Sequence, residues 1–337
     1  MCSVIRIYKT LTTAPGNGIK VVKRPEKMSV SADRGSAIID RCVCDSVMVR
    51  MKILDARALS IVTVLSIGLV TCAQASAPRA AGLVGGTLLD RGFSGLYNLD
   101  FAGAQKDFTA WEVQHPDDPV GPVSEAAGFL FSEFNRLGVL EAQFYENDSS
   151  FEDRKKLTAD ATVKDHFMAS LNRAEALAHA RLTKDAKDQD ALFTMTLSSG
   201  LQADYAALIE KRNLASLHYT KQASTWAQQL LAICHTCDDV RVATGFSKYI
   251  IGSMTAPVRW ILRMGGLPAD KQGGIADLQM TAAHGHYLAP FARILLAIAY
   301  VREKDKPRAL ELLASLRTDF PGNPLYSREI AHLQAAH

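Results

Sequence analysis

The sequence predicts an all-α fold, a right-handed α-solenoid built from antiparallel helix pairs, and three observations lead to that fold class. A spacing of twelve and twelve residues occurs in two triplets, Gly92–Ala104–Pro116 and Ala297–Ala309–Pro321. Two small residues and a proline at these offsets are typical of a helix–turn–helix repeat of about 34 residues. Alanine and leucine, which favour helices, dominate the chain beyond residue 86, and no sustained period-two alternation indicates a strand.

A leader precedes the predicted repeats. Residues 58–71 carry no charge, Lys52 and Arg57 precede them, and Ala73-Gln74-Ala75 follows. A basic flank, a short apolar run and an A-x-A site are typical of a secretory signal peptide, predicted here over 48–75. The apolar run is short for a permanent membrane span, which needs about 20 residues. We therefore expect an exported, periplasmic protein.

Two details of this leader leave alternatives open. Met48 and Met51 are both natural starts for the signal, so residues 1–47 are interpreted as a non-native upstream extension or a disordered segment. Cys72 lies in a sequence similar to a bacterial lipoprotein box, although Thr71 replaces the usual Gly, Ala or Ser. Cleavage after Ala75 is preferred to lipidation of Cys72, which would give an outer-membrane lipoprotein.

Charge and motifs exclude several functions. The whole chain has 38 Lys and Arg and 35 Asp and Glu, and residues 1–75 hold eleven of the basic and five of the acidic residues. The chain after residue 75 therefore has 27 basic and 30 acidic residues, which gives a net charge of −3. Acids and bases are interspersed, so no basic surface for nucleic acid is expected. The sequence lacks a G-x-S-x-G, a P-loop and a G-x-G-x-x-G. No catalytic residue, cofactor or metal is predicted.

The remaining elements follow in chain order. Residues 76–86 are rich in small residues and are predicted to be a flexible lead-in, followed by a helical repeat domain over 87–335. Pro307 suits the first turn of a helix, and Pro321-Gly322-Asn323-Pro324 ends that helix before a capping helix over Leu325–Gln334. Five helix pairs are predicted: 85–97 with 101–114, 122–138 with 163–182, 190–211 with 213–232, 239–253 with 270–283, and 290–302 with 307–319.

The middle repeats are less regular than the outer ones. Small residues at Ala174, Ala223 and Gly274 are interpreted as the anchors of their second helices, but their separations are uneven. Longer helices or inserts are therefore expected in the middle. Residues 141–160 are predicted to contain an insert.

The C-terminal copy resembles the tetratricopeptide repeat (TPR) family. Ala297, Tyr300, Ala309 and Pro321 match the family's small residue, aromatic, second small residue and proline. In the first copy the expected aromatic is replaced by Gly95. The stretch 246–274 is similar to a subgroup of bacterial secreted repeat proteins.

The resemblance implies a non-enzymatic scaffold whose first helices line a concave groove that binds a protein or peptide partner. The alternative is a periplasmic carrier of a small ligand that serves a transporter, as in some periplasmic members of the family. A large apolar central pocket would favour the carrier, whereas a solid interior with an open groove would favour the scaffold. Tyr97, Phe131, Phe134, Tyr205 and Tyr249 are candidates for groove lining, although each is expected to be inter-helix core.

Cysteine and histidine residues near two repeat boundaries offer candidate chemistry. Cys234 and Cys237 form a CxxC in a helix-ending turn, for which a short disulfide or two free thiols is preferred to a redox or metal role. His284 and His286 could complete a zinc site with these cysteines, but His284-Gly285 is interpreted as a helix end.

Two other segments have alternative interpretations. Asp185, Asp188 and Asp190 resemble a fragment of a calcium loop, but an acidic helix start is preferred because the loop's glycine and final glutamate are missing. Residues 259–263 form a short amphipathic segment suited to peripheral contact with a membrane or partner. For this segment we expect Trp260 and Leu262 to pack into the core.

Overall fold

The protein is described by a computed structural model over residues 86–141 and 157–335, and every regular element in these ranges is a helix. The signal segment 48–75, Cys72, residues 1–47 and most of the predicted lead-in and insert lie outside the described residues. The α-helices are α1 Leu88–Tyr97, α2 Phe101–Gln114, α3 Val120–Arg136, α4 Ala161–Lys184, α5 Gln189–Asp204, α6 Asn213–Ile233, α7 Arg241–Gly252, α8 Ala256–Met264, α9 Lys271–His284, α10 Ala289–Arg302, α11 Lys306–Asp319 and α12 Pro324–Ala335.

Aspartate residues fix the start of several helices. Asp100, Asp160, Asp270 and Asp305 precede α2, α4, α9 and α11, and each carboxylate accepts a hydrogen bond from a backbone N–H in the first turn. Such a cap satisfies one of the N–H groups that have no partner within the helix, and typically contributes about 1 kcal/mol. These four aspartates therefore mark where the second helix of a pair begins.

The helices pack most extensively in five pairs: α1 with α2, α3 with α4, α5 with α6, α7 with α9, and α10 with α11. These are the pairs predicted from the sequence. The small anchors Ala104, Ala174, Ala223 and Ala309 are buried. At Gly274 an added Cβ would lie 2.4 Å from the Tyr249 backbone nitrogen, so α7 and α9 approach too closely for any side chain there.

The missing aromatic at Gly95 has a packing explanation. A Cβ at Gly95 would lie 3.2 Å from the Ala104 Cβ, and one at Gly92 would lie 2.2 Å from the Phe108 ring. The two glycines therefore let α2 approach α1, and the aromatic that fills this crossing comes from α2. Phe108 packs edge-on against Phe93, with ring centroids 5.5 Å apart.

The prediction of one continuous α-helix over 190–211 holds as far as Asp204 and is wrong beyond it. Helix α5 ends at Asp204, and a π-helical turn, Tyr205–Ile209, follows it. The Glu210 N–H donates to the Tyr205 carbonyl, five residues earlier. A π-turn admits one extra residue, so it rotates the side chains that follow, and such turns occur frequently at functional sites.

Two apolar clusters make up most of the core. One cluster contains residues of α1, α2, α3, α4, α5 and the π-turn. The other contains residues of every helix from α7 through α12. Tyr97 and Leu288 pack against both clusters, so the first helix is connected to the C-terminal half. Within the described ranges, none of the helices is both long and apolar enough to cross a bilayer.

Candidate functional site

A cavity of about 210 Å³ lies between the helices. Its wall comes from the first helix of every pair, α1, α3, α5, α7 and α10, together with α6 and α12. In the part of the chain that the structure describes, α2, α4, α9 and α11 contribute nothing to this wall. The first helices therefore line the cavity, joined by α6 from the third pair, and the other second helices do not contribute to its wall.

Helical periodicity brings one stripe of α5 to the cavity. The cavity is lined by five residues of this stripe, which are spaced four, three, one and three residues apart: Phe193, Leu197, Gly200, Leu201 and Asp204. Residues at i, i+4, i+7, i+8 and i+11 share one face of an α-helix. The stripe ends at Asp204, where the π-turn begins.

Gly200 supplies open space in this stripe. A Cβ built on Gly200 meets no heavy atom within 4 Å, unlike one on Gly92 or Gly274. Glycine costs a helix about 1 kcal/mol relative to alanine. No close packing requires a glycine at position 200, so its effect is to keep the cavity wide.

Contacts between the first and last described helices hold one side of the cavity. The Gly322 N–H donates to the Asn98 side chain over 2.9 Å, and the Asn323 side chain donates to the Tyr97 carbonyl over 3.0 Å. The Tyr97 hydroxyl donates to the Tyr287 carbonyl over 2.9 Å. These hydrogen bonds fix α1 against the segments that precede α10 and α12.

Charged groups strengthen the same junction. The His286 Nε2 lies 2.7 Å from the Asp90 carboxylate. The same carboxylate accepts a hydrogen bond from the backbone N–H of Thr87, the N-cap of α1. The Asp239 carboxylate accepts hydrogen bonds from the Tyr287 and Leu288 N–H groups before α10. Burial raises the pKa of Asp239, and these two hydrogen bonds oppose that rise.

The aromatic candidates from the sequence divide into two groups. Tyr97, Phe131 and Phe134 line the cavity. Tyr205 instead stacks on Phe167, with ring centroids 5.3 Å apart, and Tyr249 is buried with its hydroxyl 3.3 Å from the Ala299 carbonyl. Three of the five therefore face the central space, and two are inter-helix core.

The repeat-signature residues act in packing. Ala297 and Ala309 are fully buried where α10 meets α11, and the buried Tyr300 hydroxyl accepts a hydrogen bond from the Gln279 side chain. Pro116 and Pro321 lie in exposed turns after α2 and α11. None of the signature residues lines the cavity.

Cys234 and Cys237 are joined by a disulfide in the turn after α6, with the Cα atoms 5.5 Å apart. His284 ends α9, and Gly285 is its C-cap. His286 is hydrogen-bonded to Asp90 rather than directed to the cysteines. Over the described ranges, no group of three His, Cys, Asp or Glu residues is arranged to hold a metal ion.

The three aspartates before α5 serve the helix start. Asp188 caps α5 by accepting from the Ala191 N–H, and Asp185 accepts from the Lys187 N–H. Arg181 forms ion pairs with Asp188 and Asp190. The carboxylates therefore have partners within the chain, in agreement with an acidic helix start.

The expectation that Trp260 packs into the core was wrong. Leu262 is buried, but Trp260 is 64% exposed, with Ile261 and Met264 also exposed beside it. Helix α8 buries the face that carries Val258 and Leu262, and Trp260 falls on the opposite side. The result is an apolar patch, Trp260–Ile261–Met264, on the outer surface of α8.

Sequence reasoning missed several residues of the cavity wall. The sequence did not predict that Asp204 and Gly200 line a cavity. It also did not predict this role for the aromatic residues Phe246, Phe291 and Tyr326. A signal was available on α5, because its apolar residues and Gly200 share one helical face. That face resembles an ordinary buried stripe, and the sequence does not show whether neighbouring side chains fill the space in front of it.

Comparison with known proteins identifies no relative. No protein-family model matches the chain, and neither the curated proteins nor the solved structures contain a significant match.

Proposed function

We propose that this protein is an exported TPR-like α-solenoid of antiparallel helix pairs that binds an apolar small molecule in its central cavity. The cavity is the observation that carries the proposal. It is lined mainly by apolar and aromatic side chains, with a few polar groups, as small-molecule sites usually are. The signal-like segment 48–75 supports a periplasmic location, in which such a protein would carry its ligand to or from a transporter.

The size of the cavity supports binding rather than a packing defect. Protein interiors contain few voids larger than a water molecule, so a cavity of about 210 Å³ is larger than an ordinary packing gap. An engineered apolar cavity of about 150 Å³ is large enough to bind benzene. The present cavity therefore suits a ligand with one ring and a short chain, or an alkyl chain of similar volume.

Direct binding of 2-phenylethanol, an uncharged probe of suitable size, tests this function. Isothermal titration calorimetry of the full chain should show saturable binding at one site. Gly200→Phe places a ring in the open space and should abolish binding without loss of helical circular dichroism. Gly86→Phe is the matched control, because Gly86 is exposed, also meets no atom within 4 Å of an added Cβ, and lies outside the cavity wall.

The two variants separate ligand binding in the cavity from binding elsewhere. Loss of binding in Gly200→Phe but not in Gly86→Phe supports the cavity as the site. Equal binding by both variants would mean that the probe binds at another surface. No binding by the unsubstituted protein would contradict the proposed function.

A second candidate function is recognition of a protein partner, as expected from the TPR resemblance. The exposed patch Trp260–Ile261–Met264 favours it, because Trp and Met are enriched at interface cores. Photo-crosslinking from position 260 in cells should then capture one defined protein. Position 113, where Val113 is 78% exposed on α2, is the matched control and should capture none. Equal yields from both positions would contradict a specific interface on α8.

A further inference from the structure

The charged residues of the cavity wall have one sign. Asp204 and Asp239 line the cavity, and no Lys, Arg or His does so among the described residues. An apolar ligand that also bears a negative charge would face two carboxylates, and no cationic side chain of the described residues lies on the wall. The wall therefore disfavours fatty acids and other anions and favours a neutral or cationic ligand.

The two carboxylates differ in what they contact. Asp239 accepts hydrogen bonds from the Leu288 N–H over 2.9 Å and the Tyr287 N–H over 3.1 Å, so it serves the start of α10. Within the described part of the chain, the Asp204 carboxylate has no hydrogen bond and no ion pair. Asp204 is thus the acid that a ligand can engage.

The position of Asp204 supports a role in binding. It is the last residue of α5, and the π-turn Tyr205–Ile209 follows it directly. Ser216 and Thr220, on α6, line the same cavity. Burial raises the pKa of Asp204 to about 6, and the positive charge of the amino terminus opposes that rise. A protonated partner would relieve the cost of this partly buried charge.

Aromatic rings supply the second feature that suits a cation. Tyr97, Phe131, Phe246 and Tyr326 come from four different helices and all line the cavity. Aromatic faces attract ammonium groups, and the attraction strengthens when water is excluded. The same rings provide an apolar surface for the hydrocarbon part of a ligand.

We infer that the ligand is an apolar small molecule with a protonated amine, whose ammonium group pairs with Asp204 while its hydrocarbon part lies among the aromatic rings. This inference rests on the proposed function, because it requires the cavity to be the binding site. It adds the chemical class of the ligand and the residue that selects it.

Three probes of similar size and different charge test the inference. They are 2-phenylethylamine, which is cationic, 2-phenylethanol, which is neutral, and 3-phenylpropanoate, which is anionic. A hydrogen bond between charged groups in a partly dry site should favour the amine over the alcohol by about 10- to 100-fold. Titration calorimetry of the full chain at pH 7.5 gives the three dissociation constants, and we expect the anion to bind most weakly.

Asp204→Asn isolates the charge. The variant should bind 2-phenylethylamine at least tenfold more weakly and retain its affinity for 2-phenylethanol, which also shows that the cavity is still folded. A second measurement uses the unsubstituted protein at pH 5, where protonation of Asp204 should weaken amine binding and leave alcohol binding unchanged.

The outcomes distinguish the two proposals. If amine and alcohol bind equally, or if Asp204→Asn leaves the preference for the amine intact, the amine inference is overturned and the apolar cavity stands. If Asp204→Asn weakens both probes equally, Asp204 has a structural role and the inference is again overturned. If none of the probes binds, both the inference and the proposed function are contradicted.

Discussion

The crossings between paired helices and the cavity wall use the same residue types for opposite purposes. At the crossings, glycine brings two helices together: Gly92 receives the Phe108 ring, and Gly274 receives the backbone of α7. On the cavity wall, Gly200 meets nothing within 4 Å and leaves space open. The difference shows that a small residue on a helix can bring two helices together or leave space open, depending on what faces it.

Buried acids show a similar contrast between the two regions. Glu329, on α12, is fully buried in the packed core, and neither of its carboxylate oxygens has a hydrogen bond. Asp204 faces the cavity, where a ligand can reach it. A closed site relieves a buried acid that has no hydrogen bond chiefly by protonation, whereas an open site can also relieve it by binding a cation.

The largest effect is expected where backbone meets backbone. In Gly274→Ala the new Cβ would lie 2.4 Å from the Tyr249 nitrogen and 2.6 Å from the Gly245 carbonyl oxygen, so α7 and α9 must separate. We expect the free energy of unfolding to fall by about 3 kcal/mol, the upper end of the usual range for overpacking. Urea denaturation followed by circular dichroism measures it, with Gly86→Ala as the control in open space. A loss below 1 kcal/mol would mean that the crossing is looser than described.

The next effect is a pH dependence of stability caused by the buried Glu329. Burial raises the pKa of Glu329 to about 7 from its ordinary value of 4.5. Between these pH values the folded state therefore binds more protons than the unfolded state. As far as Glu329 determines it, the free energy of unfolding is greatest below pH 4.5 and falls as the pH rises to 7. The full difference is on the order of 3 kcal/mol.

Glu329→Gln should remove this pH dependence. The variant and the unsubstituted protein should unfold at similar urea concentrations at pH 4.5, and the variant should be more stable at pH 8. His332 Nδ1 lies 3.9 Å from the Glu329 carboxylate, so His332→Gln is the matched control for a contribution from that pair. A constant difference between Glu329→Gln and the parent across this pH range would show that Glu329 keeps its ordinary pKa.

A smaller loss is expected at the crossing of α1 and α2. In Gly92→Ala the added methyl would overlap the fully buried Phe108 ring, which can shift more readily than backbone. We expect a loss of about 2 kcal/mol by urea denaturation. Combining it with Phe108→Leu should make the two losses non-additive, because the shorter side chain releases the overlap. Strictly additive losses would indicate that the methyl group is accommodated elsewhere.

These contrasts explain what the sequence could and could not predict. The five helix pairs could be predicted because the sequence marks them with small residues at Ala104, Gly274 and Ala309 and with aspartates that begin the second helices. The cavity depends on what faces Gly200 across helices far apart in the chain. The π-turn after Asp204 was missed because its residues, Tyr205–Ile209, have ordinary helical composition. Trp260 was wrongly predicted to be buried because helical periodicity separates two faces of α8 but does not show which face packs against the core.

The smallest predicted effect is also the most direct test of open space on the cavity wall. Gly200→Ala replaces the poorest ordinary helix former in α5 with the best one and adds a methyl group that contacts nothing. We therefore expect the free energy of unfolding to rise by about 1 kcal/mol, the reverse of the losses at Gly92 and Gly274. Thermal and urea denaturation measure the gain, and titration with 2-phenylethanol should show binding retained but weakened, because one methyl group takes only part of the cavity. A loss of stability comparable to that of Gly92→Ala would mean that position 200 is a packed crossing, and the distinction between the two regions would fail.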